Sequence, residues 1–218
     1  DEQVTAAVAA AEERFGAVDV LVNNAGYGYR AAVEEGEDEA VRRLFDTHVF
    51  GAARTIKSVL PAMRARRSGT IVNLSSIGAR ICPEGSGYYA AAKAAVEAMT
   101  LSLRKELAPL GIHATVVEPG AFRTDFAGRS LTQAEHAIAD YAETAGRRRK
   151  ERDRVHGTQP GDPARAAAAL VDAVESGDPP YLLLLGNDTV DAVRTALAAL
   201  RDDIDTWETT SRSTDFDS

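Results

Sequence analysis

Short apolar runs alternate with longer amphipathic stretches along this chain. Four runs are nearly continuous in apolar side chains, as is typical of strands buried on both faces of a parallel sheet: residues 18–22, 70–74, 112–117 and 181–185. The stretches between them are long enough to hold helical crossovers. The alternation predicts βαβ units with right-handed connections, and therefore an α/β fold with a doubly wound parallel sheet.

Helices are predicted in the stretches between these strands. The first ends at Gly16, and a second covers residues 37–66 and is expected to bend near Gly51. The Ala-rich residues 89–107 predict a third helix, because alanine is the best helix former. A last helix is expected at residues 189–200.

One polar, Arg-rich segment interrupts the alternation. Residues 125–163 are too many for a simple loop, so we expect a surface lid with short helices that covers a substrate. Residues 1–208 are expected to form a single domain, and the polar residues 209–218 a flexible tail.

The composition narrows the class of protein. The chain has 218 residues, 44% of them hydrophobic and 27% charged, which is ordinary for a globular domain in water. Its formal net charge of −8 argues against a nucleic-acid or anionic-membrane partner. No apolar run approaches the roughly 20 residues of a membrane-spanning helix, and the single cysteine, Cys82, favours the reducing cytoplasm.

The sequence predicts no metal site, because His113, His136 and His156 lack the spacing of metal ligands. One basic cluster, residues 147–150, is a candidate for steering an anionic substrate or contacting a 2′-phosphate. A solvated helix face is the simpler interpretation of this cluster, since the chain as a whole is acidic.

Tyr89 and Lys93 stand four residues apart within a predicted helix. This spacing puts both side chains on one face, one turn apart. A lysine ammonium about 5 Å from a phenol lowers the pKa of the phenol by roughly 2 units, toward about 8. A phenol with that pKa is suited to general acid–base catalysis, although the spacing alone is common on surface helices.

Three other segments are predicted to meet this helix at one edge of the sheet. Ser76 follows the strand at residues 70–74, the turn Asn23-Asn24-Ala25-Gly26 follows the preceding strand, and Pro119-Gly120 follows the next one. In open α/β sheets, ligands bind in the crevice outside the carboxyl ends of the strands. The sequence therefore predicts a single ligand site at this edge.

These motifs, together with Thr124, resemble the short-chain dehydrogenases/reductases in both order and spacing. The resemblance extends from the first predicted helix to the last. It looks closest to the branch that acts on ketones and alcohols of hydrophobic molecules, such as steroid or retinol dehydrogenases. It implies a Rossmann-like fold and an NAD(P)-dependent oxidoreductase that interconverts a ketone and a secondary alcohol on a small hydrophobic substrate.

The resemblance also implies roles for individual residues. Tyr89 would be the general acid/base, Lys93 would lower its pKa and bind the nicotinamide ribose, and Ser76 would donate to the substrate oxygen. Further contacts with NAD or NADP are implied for Asn23, Ala25, Gly26, Pro119, Gly120, Phe122 and Thr124. Corresponding helices of the family form homodimers or homotetramers, and the small residues at 90–98 fit close helix packing.

Two features depart from the family pattern. His48 stands where the family has an asparagine that orders water in a proton path, so we expect either a substitute in that relay or a residue that merely fills space. The Gly-rich phosphate turn is not found, because Gly26-Tyr27-Gly28 lacks the third glycine and no helix opens there. The chain thus resembles the family fold without its first βαβ portion, and we expect it alone to bind dinucleotide poorly and to be inactive.

Two other functions stay open at this point. The absent phosphate turn favours a catalytically incompetent fragment or a non-catalytic module that assembles or regulates, whereas the complete set of Ser76, Tyr89 and Lys93 favours an enzyme. Epimerase or dehydratase chemistry shares the Tyr/Lys pair, but the Asn-Asn-Ala-Gly turn argues against it. The sequence distinguishes neither NAD from NADP nor one substrate from another.

Overall fold

A parallel sheet lies at the centre of the computed structural model, which describes residues 2–155 and 157–216. The strands in these residues are β1 (Val20–Asn23), β2 (Gly28–Arg30), β3 (Gly69–Leu74), β4 (Ile112–Pro119), β5 (Leu131–Gln133) and β6 (Leu182–Leu185). The four predicted strands pair in parallel in the order β1-β3-β4-β6. The predicted α/β fold is thereby confirmed. The pair β2-β5 forms a second, small sheet that was not predicted.

Helices fill the crossovers between the strands. In the described residues they are α1 (Glu2–Phe15), α2 (Asp38–Phe45), α3 (Gly51–Arg66), α4 (Gly78–Ile81), α5 (Gly87–Leu107), α6 (Arg147–Val155), α7 (Pro163–Glu175) and α8 (Asn187–Arg212). A π-helical turn, Asp46–Phe50, joins α2 to α3 at the bend expected near Gly51. The helix α8 continues to Arg212 and so includes the first residues of the segment 209–218 that was expected to be a tail. None of these helices is both long and apolar enough to cross a membrane.

The core that fixes the sheet edge lies between the sheet, α3 and α5. Ile56, Val59 and Met63 recur at helical spacing on α3 and pack against Ile71 of β3 and Leu103 of α5. Each such buried side chain stabilises the fold by roughly 1.5–3 kcal/mol. This packing sets α5, which carries Tyr89 and Lys93, across the end of β3.

The strand β1 stands at one end of the four-stranded sheet. Val20 and Val22 of this strand are 40% and 44% exposed, whereas Ile71 and Val72 of β3 are fully buried. The sheet therefore has an exposed edge at β1.

Candidate active site

A cavity of about 790 Å³ opens at the carboxyl ends of β1, β3, β4 and β6. Most of the predicted site residues line it, namely Gly26, Ser76, Tyr89, Lys93, Pro119, Gly120, Phe122 and Thr124. Its volume and its position at the carboxyl edge of a parallel sheet are typical of a ligand site in an open α/β fold.

Ser76 and Tyr89 flank Gly78 at the start of α4. The Gly78 backbone N–H donates to Ser76 Oγ at 3.0 Å, which leaves the Ser76 hydroxyl proton available to a ligand. A β-carbon at Gly78 would lie 3.3 Å from Ser76 Oγ and 3.6 Å from the Tyr89 ring. The glycine therefore keeps the space between the two side chains open.

Lys93 is buried one helical turn beyond Tyr89, as the spacing predicted. Its Nζ donates to the Leu74 carbonyl at 2.7 Å and lies 5.8 Å from the centroid of the Tyr89 ring. Burial lowers the pKa of Lys93 to about 8, although the carboxylate of Glu97 opposes that shift. Lys93 is thus charged at neutral pH and within reach of the Tyr89 ring.

His48 packs behind Tyr89 and does not line the cavity. It lies in the π-helical turn, and its Nε2 donates to the Tyr27 carbonyl at 2.8 Å. Burial and the charge of Lys93 lower the pKa of His48 to about 4, so the imidazole is neutral at pH 7. Its Nδ1 is buried and accepts no hydrogen bond from the described residues.

Asn23 and Ala25, two of the predicted cofactor contacts, do not line the cavity. The Asn23 amide donates to Asn73 Oδ1 at 2.8 Å and accepts from Thr55 Oγ1 at 2.5 Å. Asn23 therefore ties β1 to β3 and α3, and the neighbouring Asn24 faces the cavity instead. Sequence reasoning did not assign a role to Asn24, but alternation along a strand could have indicated it.

The segment after β4 turns sharply beside α8. Gly120 N donates to the Leu185 carbonyl at 3.0 Å, and Ala121 N donates to Asp188 Oδ2 at 2.9 Å. A β-carbon at Gly120 would come within 2.3–2.4 Å of Thr189 and Asp188 side-chain oxygens, so this close approach requires glycine.

The lid segment adds residues to the site that sequence reasoning missed. Phe126 lies with its ring centroid 5.9 Å from that of Tyr89. Arg148, Glu151 and Arg154 of α6 line the cavity, and Arg149 forms an ion pair with the buried Glu35. The interpretation of residues 147–150 as a solvated helix face is therefore wrong for two of its arginines.

Among the described residues, no group of three or more His, Cys, Asp or Glu side chains is arranged to hold a metal ion. His156, one of the histidines considered in the sequence, lies outside those residues.

Known proteins resemble this chain in both sequence and structure. The profile of the short chain dehydrogenase family matches residues 1–135. Oxidoreductase BOA17 of Botryotinia fuckeliana is 34% identical over 95% of this chain and 75% of its own. A short-chain dehydrogenase from Streptomyces avermitilis superposes with a TM-score of 0.89 at 42% identity, covering 98% of this chain and 78% of that chain.

A further solved structure holds a dinucleotide. The gluconate 5-dehydrogenase of Burkholderia cenocepacia J2315, in complex with NADP and tartrate, superposes with a TM-score of 0.56 at 34% identity, covering 58% of this chain and 50% of that chain.

The α/β fold with a cavity at its sheet edge is thus that of a Rossmann-like oxidoreductase domain. The chain belongs to the short-chain dehydrogenase family, which confirms the resemblance drawn from its motifs. It spans 75%, 64% and 54% of the lengths of three curated relatives that it matches.

Proposed function

We propose that the protein is an NAD(P)-dependent oxidoreductase that interconverts a ketone and a secondary alcohol on a small hydrophobic substrate. The observation that carries this proposal is the joint presence of Tyr89, Ser76 and Lys93 in the wall of one large cavity. Lys93 supplies a charge close to the Tyr89 ring, and Ser76 supplies a hydroxyl proton beside it. Both are what a phenolic general acid/base requires.

The cavity also fits a nicotinamide dinucleotide. Gly26 and Gly120 contribute to its wall without side chains, and its volume suits an extended ligand. Lys93 and Tyr89 would hold the nicotinamide ribose, while Pro119, Gly120, Phe122 and Thr124 would hold the nicotinamide. When bound, the dinucleotide supplies or accepts the hydride. The complex of the gluconate 5-dehydrogenase with NADP supports this assignment.

The chain's own residues handle the proton. In reduction, the Tyr89 hydroxyl donates its proton to the substrate oxygen as a C–H bond forms at the carbonyl carbon, and in oxidation the phenolate takes the proton back. Ser76 donates a hydrogen bond to the same oxygen and stabilises its developing negative charge. The Lys93 ammonium stabilises the Tyr89 phenolate that remains after reduction.

The lining of the cavity favours an apolar substrate. Large apolar side chains contribute to the part of the wall beyond Tyr89: Ile81, Phe122, Phe126, Val155 and Leu170. Apolar walls bind apolar ligands, while the few polar groups fix the orientation of the reacting carbonyl.

A substitution at Tyr89 tests the reaction, with its neighbour as the control. In a chain completed with the family's first βαβ portion, Tyr89→Phe removes the hydroxyl and should lower kcat for carbonyl reduction by about 10²–10⁴-fold, while NADPH binding measured by fluorescence persists. Tyr88→Phe removes a hydroxyl that only donates to the Val33 carbonyl, so activity should stay near that of the parent. Activity of Tyr89→Phe within threefold of the parent would favour the non-catalytic alternative.

We further propose that α5 forms a homodimer or homotetramer contact. Ala91, Ala94 and Ala98 recur on one exposed face of this helix, where small side chains allow close approach of a second copy. Ala94→Arg should shift the purified protein to monomer in sedimentation, without loss of helix content. A parent that sediments as a monomer at micromolar concentration contradicts the proposal.

A further inference from the structure

Two buried carboxylates, Glu97 and Glu118, share the partly exposed guanidinium of Arg80. Glu118 of β4 is fully buried, and Arg80 Nε donates to its Oε1 at 3.0 Å. Arg80 Nη2 lies 2.9 Å from Oε2 of Glu97, whose side chain is 8% exposed. The second oxygen of Glu118 finds no partner among the described residues.

Each member of this cluster lies on a segment close in sequence to a proposed active-site residue. Arg80 lies on α4, four residues after Ser76, and Glu118 directly precedes Pro119. Glu97 lies on α5, one turn beyond Lys93 and on the same face. The cluster therefore joins the three segments whose relative positions shape the site.

A buried ion cluster of this kind is not explained by stability alone. Removing charges from water costs several kcal/mol per ion, and apolar side chains of similar volume are often at least as stabilising. Two carboxylates against one guanidinium leave an uncompensated negative charge whenever Glu118 is ionised, as it is above its pKa of about 7. A neighbouring cation would balance that charge.

Lys93 is placed to be this cation. Ser75 Oγ donates to Glu97, and the preceding residue, Leu74, accepts the hydrogen bond from Lys93 Nζ. Lys93 and Glu97 are both 6% exposed, so water screens their interaction little. The two side chains thus bind adjacent residues, Leu74 at the end of β3 and Ser75 directly after it.

We propose that Glu97 is a positioning residue whose buried carboxylate is the counter-charge of the Lys93 ammonium, and that Arg80 and Glu118 fix this carboxylate in place. Its relevance to catalysis rests on the function proposed above, but the charge of Lys93 is measurable without any turnover.

Neighbouring groups also affect the charges and pKa values around Lys93 and Glu97. His48 is neutral at pH 7 and contributes no charge. Burial lowers the pKa of Lys93, and Glu97 raises it. Burial and Glu97 raise the pKa of Glu118 to about 7, against the opposing effect of Arg80. Tyr89 and Arg80 are further charged or titratable groups near the pair.

NMR titration of the purified protein with ¹³Cε-labelled lysine measures the Lys93 charge directly. The chain has only Lys57, Lys93, Lys105 and Lys150, and Lys93→Arg assigns the resonance. In Glu97→Gln the midpoint of Lys93 should fall by about one pH unit. In Glu118→Gln, where Arg80 and Glu97 stay paired, it should fall less.

Two further variants separate the charge from folding. Glu97→Asp keeps the carboxylate and should leave the Lys93 midpoint closer to that of the parent than Glu97→Gln does. Glu106→Gln removes an exposed carboxylate on α5 that accepts a hydrogen bond from Ser102. This substitution should not change the Lys93 midpoint. The proposal is overturned if Glu97→Gln moves the midpoint no further than Glu106→Gln does.

The pH profile of kcat/KM gives the second readout. Its alkaline limb should move to lower pH in Glu97→Gln by about as much as the Lys93 midpoint, which a merely structural role would not cause. A chain completed with the family's first βαβ portion that has no oxidoreductase activity but shows the expected NMR shift contradicts the proposed function and supports this inference. An active parent whose Lys93 midpoint does not respond to Glu97→Gln supports the proposed function and contradicts this inference.

Discussion

The imidazole of His48 meets the ring of Tyr89 edge-on, with the ring centroids 5.6 Å apart and the planes at 84°. Because burial and Lys93 lower the pKa of His48 to about 4, the imidazole stays neutral across the pH range of ordinary assays. Its donor Nε2 is already engaged by the Tyr27 carbonyl, which leaves Nδ1 as an acceptor for water. A relay through His48 therefore requires a neutral ring.

Substitutions at His48 separate a relay from space filling. His48→Leu removes both ring nitrogens and should lower kcat by about tenfold or more with little change in KM. His48→Asn restores a neutral donor and acceptor and should recover most of that loss. Rates measured from pH 5 to 9 should show no limb from His48 in the parent. His48→Leu with the kcat of the parent would establish that the residue only fills space.

Substitutions of the neighbouring residues Asn23 and Asn24 should have different effects, the first on folding stability and the second on dinucleotide binding. Asn23→Ala removes the donor to the buried Asn73 Oδ1 and one acceptor of the Thr55 hydroxyl, and should lower the free energy of unfolding by about 1–3 kcal/mol. Asn24→Ala should change stability by less than about 0.5 kcal/mol but weaken dinucleotide binding. Urea denaturation and NADPH fluorescence titration measure the two effects. Equal loss of stability in both variants would contradict this division.

The large parallel sheet was predictable because its strands are short apolar runs flanked by polar turns. Residues 70–74 correspond closely to β3, which is paired on both sides and buried on both faces. The pair β2-β5 was not predictable, because three-residue strands show no periodicity and Gly28 pairs with Leu131, more than a hundred residues away.

The candidate site also has some features that the sequence predicts and others that depend on tertiary packing. Tyr89 and Lys93 meet because helix geometry fixes their spacing, which sequence alone reveals. Asn23 was assigned to the cofactor by motif, whereas its side chain points into the sheet and hydrogen-bonds to Asn73. The contacts of Arg80 with Glu97 and Glu118 depend on the tertiary packing of three elements, so no local sequence pattern predicts them.

The raised pKa of Glu118 should appear in the pH dependence of stability. Burial and Glu97 hold this pKa at about 7, above its value in the unfolded chain, so the folded state binds the extra proton. The parent therefore loses stability from this group as pH rises from about 4.5 to 7, by about 2 kcal/mol. Glu118→Gln lacks this dependence, so its stability relative to the parent should rise over that interval.

Thermal unfolding at several pH values tests this expectation. The difference in Tm between Glu118→Gln and the parent should change in favour of the variant as pH rises, whereas Glu106→Gln should follow the parent throughout. A difference in Tm that stays constant from pH 5 to 7.5 would show that Glu118 keeps its ordinary pKa.

The ion pair between Arg149 and Glu35 should hold the lid helix α6 in place. The Glu35 side chain is 1% exposed and also accepts hydrogen bonds from the backbone N–H groups of Ala32 and Ile138, at 2.8 and 2.9 Å. Burial alone would raise the pKa of Glu35, but these N–H groups and Arg149 bring it below its usual range. Arg149→Met leaves the carboxylate buried without its cation and should lower the free energy of unfolding by about 3 kcal/mol.

The neighbouring Arg147 provides the control for this prediction. Its side chain is 61% exposed and only approaches Glu151 at 4.0 Å, so Arg147→Met should change the free energy of unfolding by less than about 0.5 kcal/mol. Limited proteolysis should cut Arg149→Met within the lid faster than Arg147→Met, because α6 separates from Glu35 more often. If the two variants show the same stability and the same cleavage rate, α6 is held by its packing, and the ion pair with Glu35 does not stabilise its position.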